Sequence, residues 1–357
     1  MKKQPWIGSA TTDVLFILAP PFISLLIIFI FPQWFQNVKS MSDAGWVILI
    51  LLVDVAHVYT TLFRTYFDKG AFKKQQFILS AIPFIGLVLG IIAYSISSIL
   101  FWRLLAYVAV FHFIRQQYGF MRVYSRKENN GHYSKLIDKI IIYYATLYPV
   151  LYWHLKGPRN FNWFTDNDFV YFNAGWLLKF FTGCYFFMVA VFIGKEIYGF
   201  IKTRTINFPK LAIISGTLLS WYFGIVYFNG DMAFTILNVV SHGIPYMALV
   251  WIYGKKNYQQ QQGNRFLHLV FSKYGILIFL SLIFLFAFIE EGLWDFMVWK
   301  EHSIVFNFSN LPSINLSDKA LNFIIPLLAL PQITHYILDG FIWKIKEDNF
   351  KWNNDLQ

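Results

Sequence analysis

The stretch from Trp46 to Phe63 reads WVILILLVDVAHVYTTLF, a hydrophobic run broken chiefly by Asp54 and His57. Its length approaches the about 20 residues a helix needs to cross the hydrocarbon of a bilayer. Asp54 and His57 are three positions apart and so share one side of that helix. The device recurs as His112-x3-Gln116, Asn238-x3-His242 and His335-x3-Asp339, each inside a hydrophobic segment. Ionisable groups are expensive in hydrocarbon, normally face a bundle interior, and mark a site or pathway. Four patches of similar chemistry predict one shared buried site.

Composition agrees. The 357 residues are 57% hydrophobic, 21% aromatic and 14% charged, with a mean hydropathy of +0.48. Soluble domains carry roughly 25% charged residues. The expected fold class is all-α, a polytopic integral membrane bundle with one multi-pass domain over 1–357. In a soluble protein the net charge of +11 would suggest nucleic acid. In a membrane protein it reflects basic cytoplasmic loops, so the bilayer is the expected partner and nucleic acid is not. Cys184 is the single cysteine, which excludes an internal disulfide and CxxC metal motifs. The first apolar run, 14–31, is too long for a signal-peptide core and lacks a small-residue cleavage site, which predicts a retained span.

Windows apolar enough to span are 14–31, 46–63, 77–97, 100–121, 137–155, 177–197, 211–228, 232–253, 274–293 and 321–342, about ten in all. Basic residues cluster in alternate connections. Lys2 and Lys3 precede the first span, and Arg64, Lys69, Lys73 and Lys74 follow the second. Arg122, Arg126, Lys127, Lys135 and Lys139 follow the fourth, and Lys202, Arg204 and Lys210 the sixth. Lys255, Lys256, Arg265 and Lys273 follow the eighth, and Lys344, Lys346 and Lys351 the tenth. The opposite loops are poor in Lys and Arg; 33–44 holds only Lys39. The positive-inside rule then places both termini in the cytoplasm, in a cell (inner) membrane. Two outer loops, 157–176 and 294–320, are long and aromatic. Gln259–Gln262 reads as a polar low-complexity stretch in a cytoplasmic loop.

His57, His112, His242 and His335 fall on the second, fourth, eighth and tenth spans, all running inward. Seven positions separate His57 from Arg64, ten His112 from Arg122, thirteen His242 from Lys255 and nine His335 from Lys344. The four side chains are therefore expected in one layer, ~10–20 Å above the cytoplasmic boundary. One-face spacing extends the stripes to Asp54-His57-Thr61-Arg64, Asp231-Thr235-Asn238-His242 and Gln332-His335-Asp339, with Pro331 kinking the last helix.

Imidazole with carboxylate is a ligand set for Fe, Zn, Mn or Cu, and mixed His/Asp sites with open positions suit non-haem iron. The expected function is a membrane metalloenzyme of oxygenase, hydroxylase or desaturase type. Its substrate would be lipid-soluble: an acyl chain, isoprenoid or quinone. The metal ligands are His57, His112, His242 and His335, and Asp54 and Asp339 serve as ligands or bases. Gln116 and Asn238 orient ligands, with Ser241 and Gln332 as further polar neighbours. Arg115 contacts the substrate head near a cytoplasmic mouth that also holds Arg64, Tyr66, Gln117 and Arg122. Arg64 and Arg122 read more simply as snorkelling to the headgroups, and Gly119, Gly243 and Pro245 as points of close approach or bending. Iron is favoured, with zinc or manganese as alternatives and a cytoplasmic electron donor as partner. Bis-histidine haem ranks third.

The competing class is an ion- or proton-coupled transporter using the same residues without metal, against which no internal repeat is visible. A scaffold whose histidines only knit helices is the blandest reading. HxxxH, HxxHH, HExxH, GxSxG and P-loop patterns are missing. Glu290-Glu291, followed later by His-x3-Asp, resembles the paired glutamates of intramembrane CAAX-type proteases. That motif carries a basic residue three positions on, where Gly-Leu-Trp-Asp follows in this chain, and the topology puts Glu290 at the outer face, away from His335. His132, His268 and His302 fall in loops and are expected to be solvated; His154 is expected at the outer interface.

Overall fold

A computed structural model describes residues 4–36, 38, 40–258, 264–308 and 315–343. Lys2, Lys3, Lys39, Gln259–Gln262, Lys344, Lys346 and Lys351, which entered the reading of topology and loops, lie outside the described residues. The chain is 80% helix, and no strand occurs among the described residues.

Eight helices are long and apolar enough to cross a membrane, nine if one bent pair counts as a single span. The bent pair, α1, joins Ala10–Leu18 to Pro20–Ile30 at 51°. Pro20 and Pro21 supply no amide hydrogens, so the expected span 14–31 breaks at Ala19. Then follow α2 (Asp43–Arg64), α3 (Lys69–Ile96) and α4 (Ser98–Tyr124). The fifth expected span, 137–155, is a helix, α5 (His132–Lys156), but is not apolar enough to count. Tyr143, Tyr144, Tyr148 and Tyr152 dilute its hydropathy, and Asp138 puts a charge in its first half. The remaining helices are α6 (Gly175–Thr203), α7 (Phe208–Tyr227), α8 (Asp231–Tyr258), α9 (Ile276–Trp299) and α10 (Asp318–Ile342). This is the architecture of a multi-pass membrane protein.

Burial ranks the helices. The spanning window of α8 is 78% buried and that of α6 only 11%, so α8 forms the axis and α6 lies on the rim. α8 packs on α1, α2 and α7; α2 also contacts α9 and α10, and α10 contacts α3 and α4. The four histidine-bearing helices run in one direction. Trp46 near the start of α2 stacks on His302 just beyond α9, and Trp102 near the start of α4 meets Trp294 and Trp299 on α9. At the other end, Arg64 donates to the Ile342 carbonyl, and Tyr258 bonds to Asp68.

Three local features set the histidine level. The backbone of α2 is π-wound over Val47–Val55, immediately before His57, a departure often found at functional sites. α10 breaks at Ala329, two residues before Pro331, as the proline predicts. Gly243 is the crossing point of α2 and α8: a Cβ there would lie 2.9 Å from Val53 Cγ1 and 3.0 Å from its carbonyl oxygen. No side chain larger than hydrogen lets His57 and His242 approach as they do. Gly119, by contrast, faces nothing within 4 Å and mediates no close approach.

Candidate metal centre

The four helices deliver His57, His112, His242 and His335 to one point, each no more than 1% exposed. One ring nitrogen from each lies within 4.8 Å of the others. His242 Nε2 is 3.1 Å from both His112 Nε2 and His57 Nε2. Metal–imidazole bonds of about 2.0–2.1 Å at tetrahedral or octahedral angles separate ligand nitrogens by roughly 2.9–3.4 Å. The spacing is that of ligands around a single ion. It leaves no slot for a porphyrin between opposed imidazoles, which disfavours haem.

The rear nitrogens set the tautomers. A neutral imidazole has one N–H and one lone pair. His57 Nδ1 donates to the Val53 carbonyl at 3.2 Å, which leaves the Nε2 lone pair facing inward. His335 Nδ1 is 2.7 Å from Thr61 Oγ1, and His335 Nε2 is buried with no hydrogen-bond partner. His112 Nδ1 is 3.4 Å from Asp339 Oδ2, a histidine–carboxylate pairing typical of metal ligands. Stacking orients His242, whose ring lies 3.5 Å from that of Phe113 at 9°, while its Nδ1 is unpartnered. Hydrogen bonds alone cannot satisfy this arrangement, because His242 Nε2 has a single hydrogen or lone pair for two neighbours. A single cation at the centre would accept all four lone pairs.

The other expected residues divide. Asp54 Oδ1 stands 3.8 Å from His57 Nδ1, and Asp339 backs His112. Gln116 and Asn238, expected to orient ligands, bond instead to main chain: Gln116 Nε2 donates to the His242 carbonyl at 2.9 Å and Asn238 Nδ2 to the Phe234 carbonyl at 2.8 Å. Gln116 thereby pins α4 to α8 beside a ligand. Ser241 donates to the Leu237 carbonyl on its own helix. Gln332 donates to Glu290, which also accepts from Tyr59 at 2.6 Å. Arg115 is exposed and donates to Tyr143 at 2.8 Å, outside the cluster. Arg64 does not snorkel: it is 7% exposed, with its guanidinium 4.3 Å over Tyr253.

Glu290, weighed as half of an acidic pair and expected at the outer face away from His335, is only 4% exposed and accepts from Gln332, one turn from His335. The paired acidic residues inside an apolar run were the available signal. His302, expected in solvent, stacks on Trp46 at 3.8 Å beside Asp43. His154 bonds to Tyr107 at 2.7 Å.

A chamber of about 970 Å³ ends one turn from the tetrad, floored by Asp54, Phe113, Asn238, Gln332 and Tyr336. Ser40, Met41, Asn160, Thr165, Glu301 and His302 line its mouth, on the face opposite the basic connections. The expected mouth among Arg64, Tyr66 and Arg122 is closed. Tyr246 bonds to Thr61 at 3.2 Å and accepts from Trp343 at 3.3 Å, and Arg64 caps both aromatics of the Trp343–Tyr253 pair. The mouth loop is tied by Asp168 Oδ2, which accepts from the amides of Trp163 at 2.8 Å, Phe164 at 2.7 Å and Thr165 at 3.3 Å. Burial nevertheless pushes the Asp168 carboxyl above its ordinary range.

Compared with known protein families, curated proteins and solved structures, the chain matches none.

Proposed function

We propose that this protein is a membrane metalloenzyme in which His57, His112, His242 and His335 hold one iron ion and act on a lipid-soluble substrate. The observation that carries the reading is the convergence of four imidazoles, one ring nitrogen from each within 4.8 Å of the others, with His335 Nε2 buried and unpartnered. Two ions about 3.5–4 Å apart would not share so tight a ligand set. Four neutral ligands leave a dication's charge uncompensated, and Asp54 and Asp339 supply two carboxylates directly behind the imidazoles.

A closed four-nitrogen zinc site would serve stability alone. The chamber ending one turn from the tetrad favours a reactive ion with a position left open toward it, and an all-imidazole set suits iron. The ion would supply redox and Lewis-acid chemistry. The chain's own residues exclude bulk water, hold the imidazole tautomers and place the substrate. Asp54, 32% exposed, is the base nearest the chamber; Asp339 keeps His112 oriented. With the basic face in the cytoplasm of an inner membrane, electrons would arrive through the plug of Tyr246 and Trp343.

Metal analysis of the purified full-length protein tests the proposal. The expected result is close to one iron per chain, lost in the His57→Ala, His335→Ala double variant while the chain stays folded. A folded wild type that takes up no iron, zinc or manganese on reconstitution overturns it.

A further inference from the structure

Three floor residues of the chamber, Asp54, Asn238 and Gln332, sit one turn before the ligands His57, His242 and His335 on their own helices. The two amides on this floor each commit a hydrogen elsewhere. Asn238, 2% exposed, spends its Nδ2 on the Phe234 carbonyl, and its Oδ1 is buried without a partner. It makes no hydrogen bond to His242 Nδ1, which is also unpartnered. Gln332 spends its Nε2 on Glu290, and its Oε1 is likewise unpartnered. A donating nitrogen identifies the unpartnered atom of each amide as its oxygen, an acceptor, and leaves one further hydrogen on each nitrogen. Asp54 and Glu291 add carboxylates to the same lining. The unpartnered buried atoms of this floor, Asn238 Oδ1 and Gln332 Oε1, are acceptors, with the Tyr336 hydroxyl beside them.

The remaining lining is equally one-sided. Asp166, Asp231, Asp295 and Glu301 also face the chamber, against Arg159 and His302 as its basic residues. Arg159 is turned to the main chain, donating to the Phe228 carbonyl at 2.6 Å. Carboxyl groups in such excess over cations leave an anionic head without a counter-charge. Trp102, Trp294 and Trp299 form one aromatic wall, with ring centroids 5.7–6.0 Å apart. The volume lies at the upper end of small-molecule sites and accommodates an extended ligand.

We propose that the chamber binds a lipophilic alcohol or phenol, whose hydroxyl donates to the acceptor floor, and that it rejects lipids with anionic heads. This deepens the reading of the chamber as the substrate site and rests on it, but binding can be tested without the metal. Among the lipid-soluble classes considered, it excludes free fatty acids and isoprenoid phosphates and keeps hydroxylated or hydroquinone-like compounds.

The test uses the full chain in nanodiscs of neutral phosphatidylcholine, with empty nanodiscs subtracted, and calorimetric titration of four probes. These are decanol, decyl methyl ether, decanoate and decyltrimethylammonium. Decanol is expected to bind saturably and at least ~10-fold more tightly than the ether, which has no donor, because buried acceptors left unfilled discriminate strongly. Decanoate is expected to be weaker still. Asp54→Asn with Glu291→Gln should narrow the gap between decanol and decanoate, and retained decanol binding in that variant shows that it is folded. The ether or decanoate binding as tightly as decanol overturns the proposal, as does decyltrimethylammonium binding more tightly than decanol. Metal content measured on the same samples separates the two ideas: a metal-free protein with the alcohol preference intact removes the iron reading and leaves this one standing.

Discussion

Two polar clusters are buried in this bundle, and they are opposites. At the basic face, Lys210, only 2% exposed, lies 3.0 Å from Glu128, 3.3 Å from Asp138 and 3.1 Å from Glu196. Lys195 bridges Asp138 and Glu196 as well, so each carboxylate has a lysine amine within 3.3 Å. That network is complete in itself and ties α5, α6 and α7 together. The histidine tetrad is built of neutral rings whose lone pairs face one another and His335 Nε2 has no partner. A buried network in which every charge faces an opposite one needs nothing further, whereas one that leaves lone pairs converging is shaped for a ligand.

The contrast can be broken by mutation. Lys210→Met deprives Glu128 of its lysine and leaves Asp138 and Glu196 sharing Lys195, and should cost about 2–4 kcal/mol, the solvent-reached Glu128 and Glu196 reducing the full buried-pair penalty. Unfolding titrations in mixed micelles would register it, with metal content per folded chain unchanged. A neutral Lys210→Met variant would place the network among surface-like ion pairs. The second effect concerns Gly243→Val, whose added methyls meet Val53. Overpacking should cost about 1–3 kcal/mol and lower metal occupancy together, because the α2–α8 crossing carries two ligands.

The third prediction inverts the first. His335→Leu should leave the metal-free protein close to wild-type stability, since removing an unsatisfied buried nitrogen offsets the lost Nδ1–Thr61 contact, yet abolish metal binding. A large loss of stability without metal would make the tetrad structural. Asp339→Asn is subtler, with metal affinity expected to fall about 10–100-fold at unchanged stability. Competition with a chelator would measure it.

The smallest effect is at the mouth. Burial raises the Asp168 carboxyl, so between the ordinary carboxylate value of ~4 and the raised one the folded loop holds a proton that the unfolded chain has released. Its contribution is present below that window and lost as pH rises through it. Hydrogen-exchange protection of the Trp163–Thr165 amides, corrected for intrinsic rates, should fall with rising pH in the wild type. The slope should vanish in Asp168→Asn.

Much of the site was legible in one dimension. Asp54-x2-His57 and His335-x3-Asp339 report helix faces directly, since a period of 3.6 residues decides which side chains share a side. The counts from histidine to basic boundary agreed in level, and the four rings do meet. What misled was the identity of each partner. Asn238 found a carbonyl on its own helix, Gln116 one on a neighbouring helix, because every buried backbone oxygen competes for an amide. Arg115 sits at the right depth but on the outward side of α4. Lys210, counted as a loop charge, is buried because three carboxylates from other segments converge on it, and Glu290 arrives from an antiparallel helix.

From its order of residues alone, this protein was committed to apolar helices and to a histidine at a common level on four of them, because hydropathy and helical period are local properties. Which way each helix turns, which face the chamber opens on, and whether four imidazoles aim at one point or at four are set by packing. Gly243 lets two helices touch, Pro20 and Pro331 break two others, and only the assembled bundle brings together nitrogens from positions 57, 112, 242 and 335.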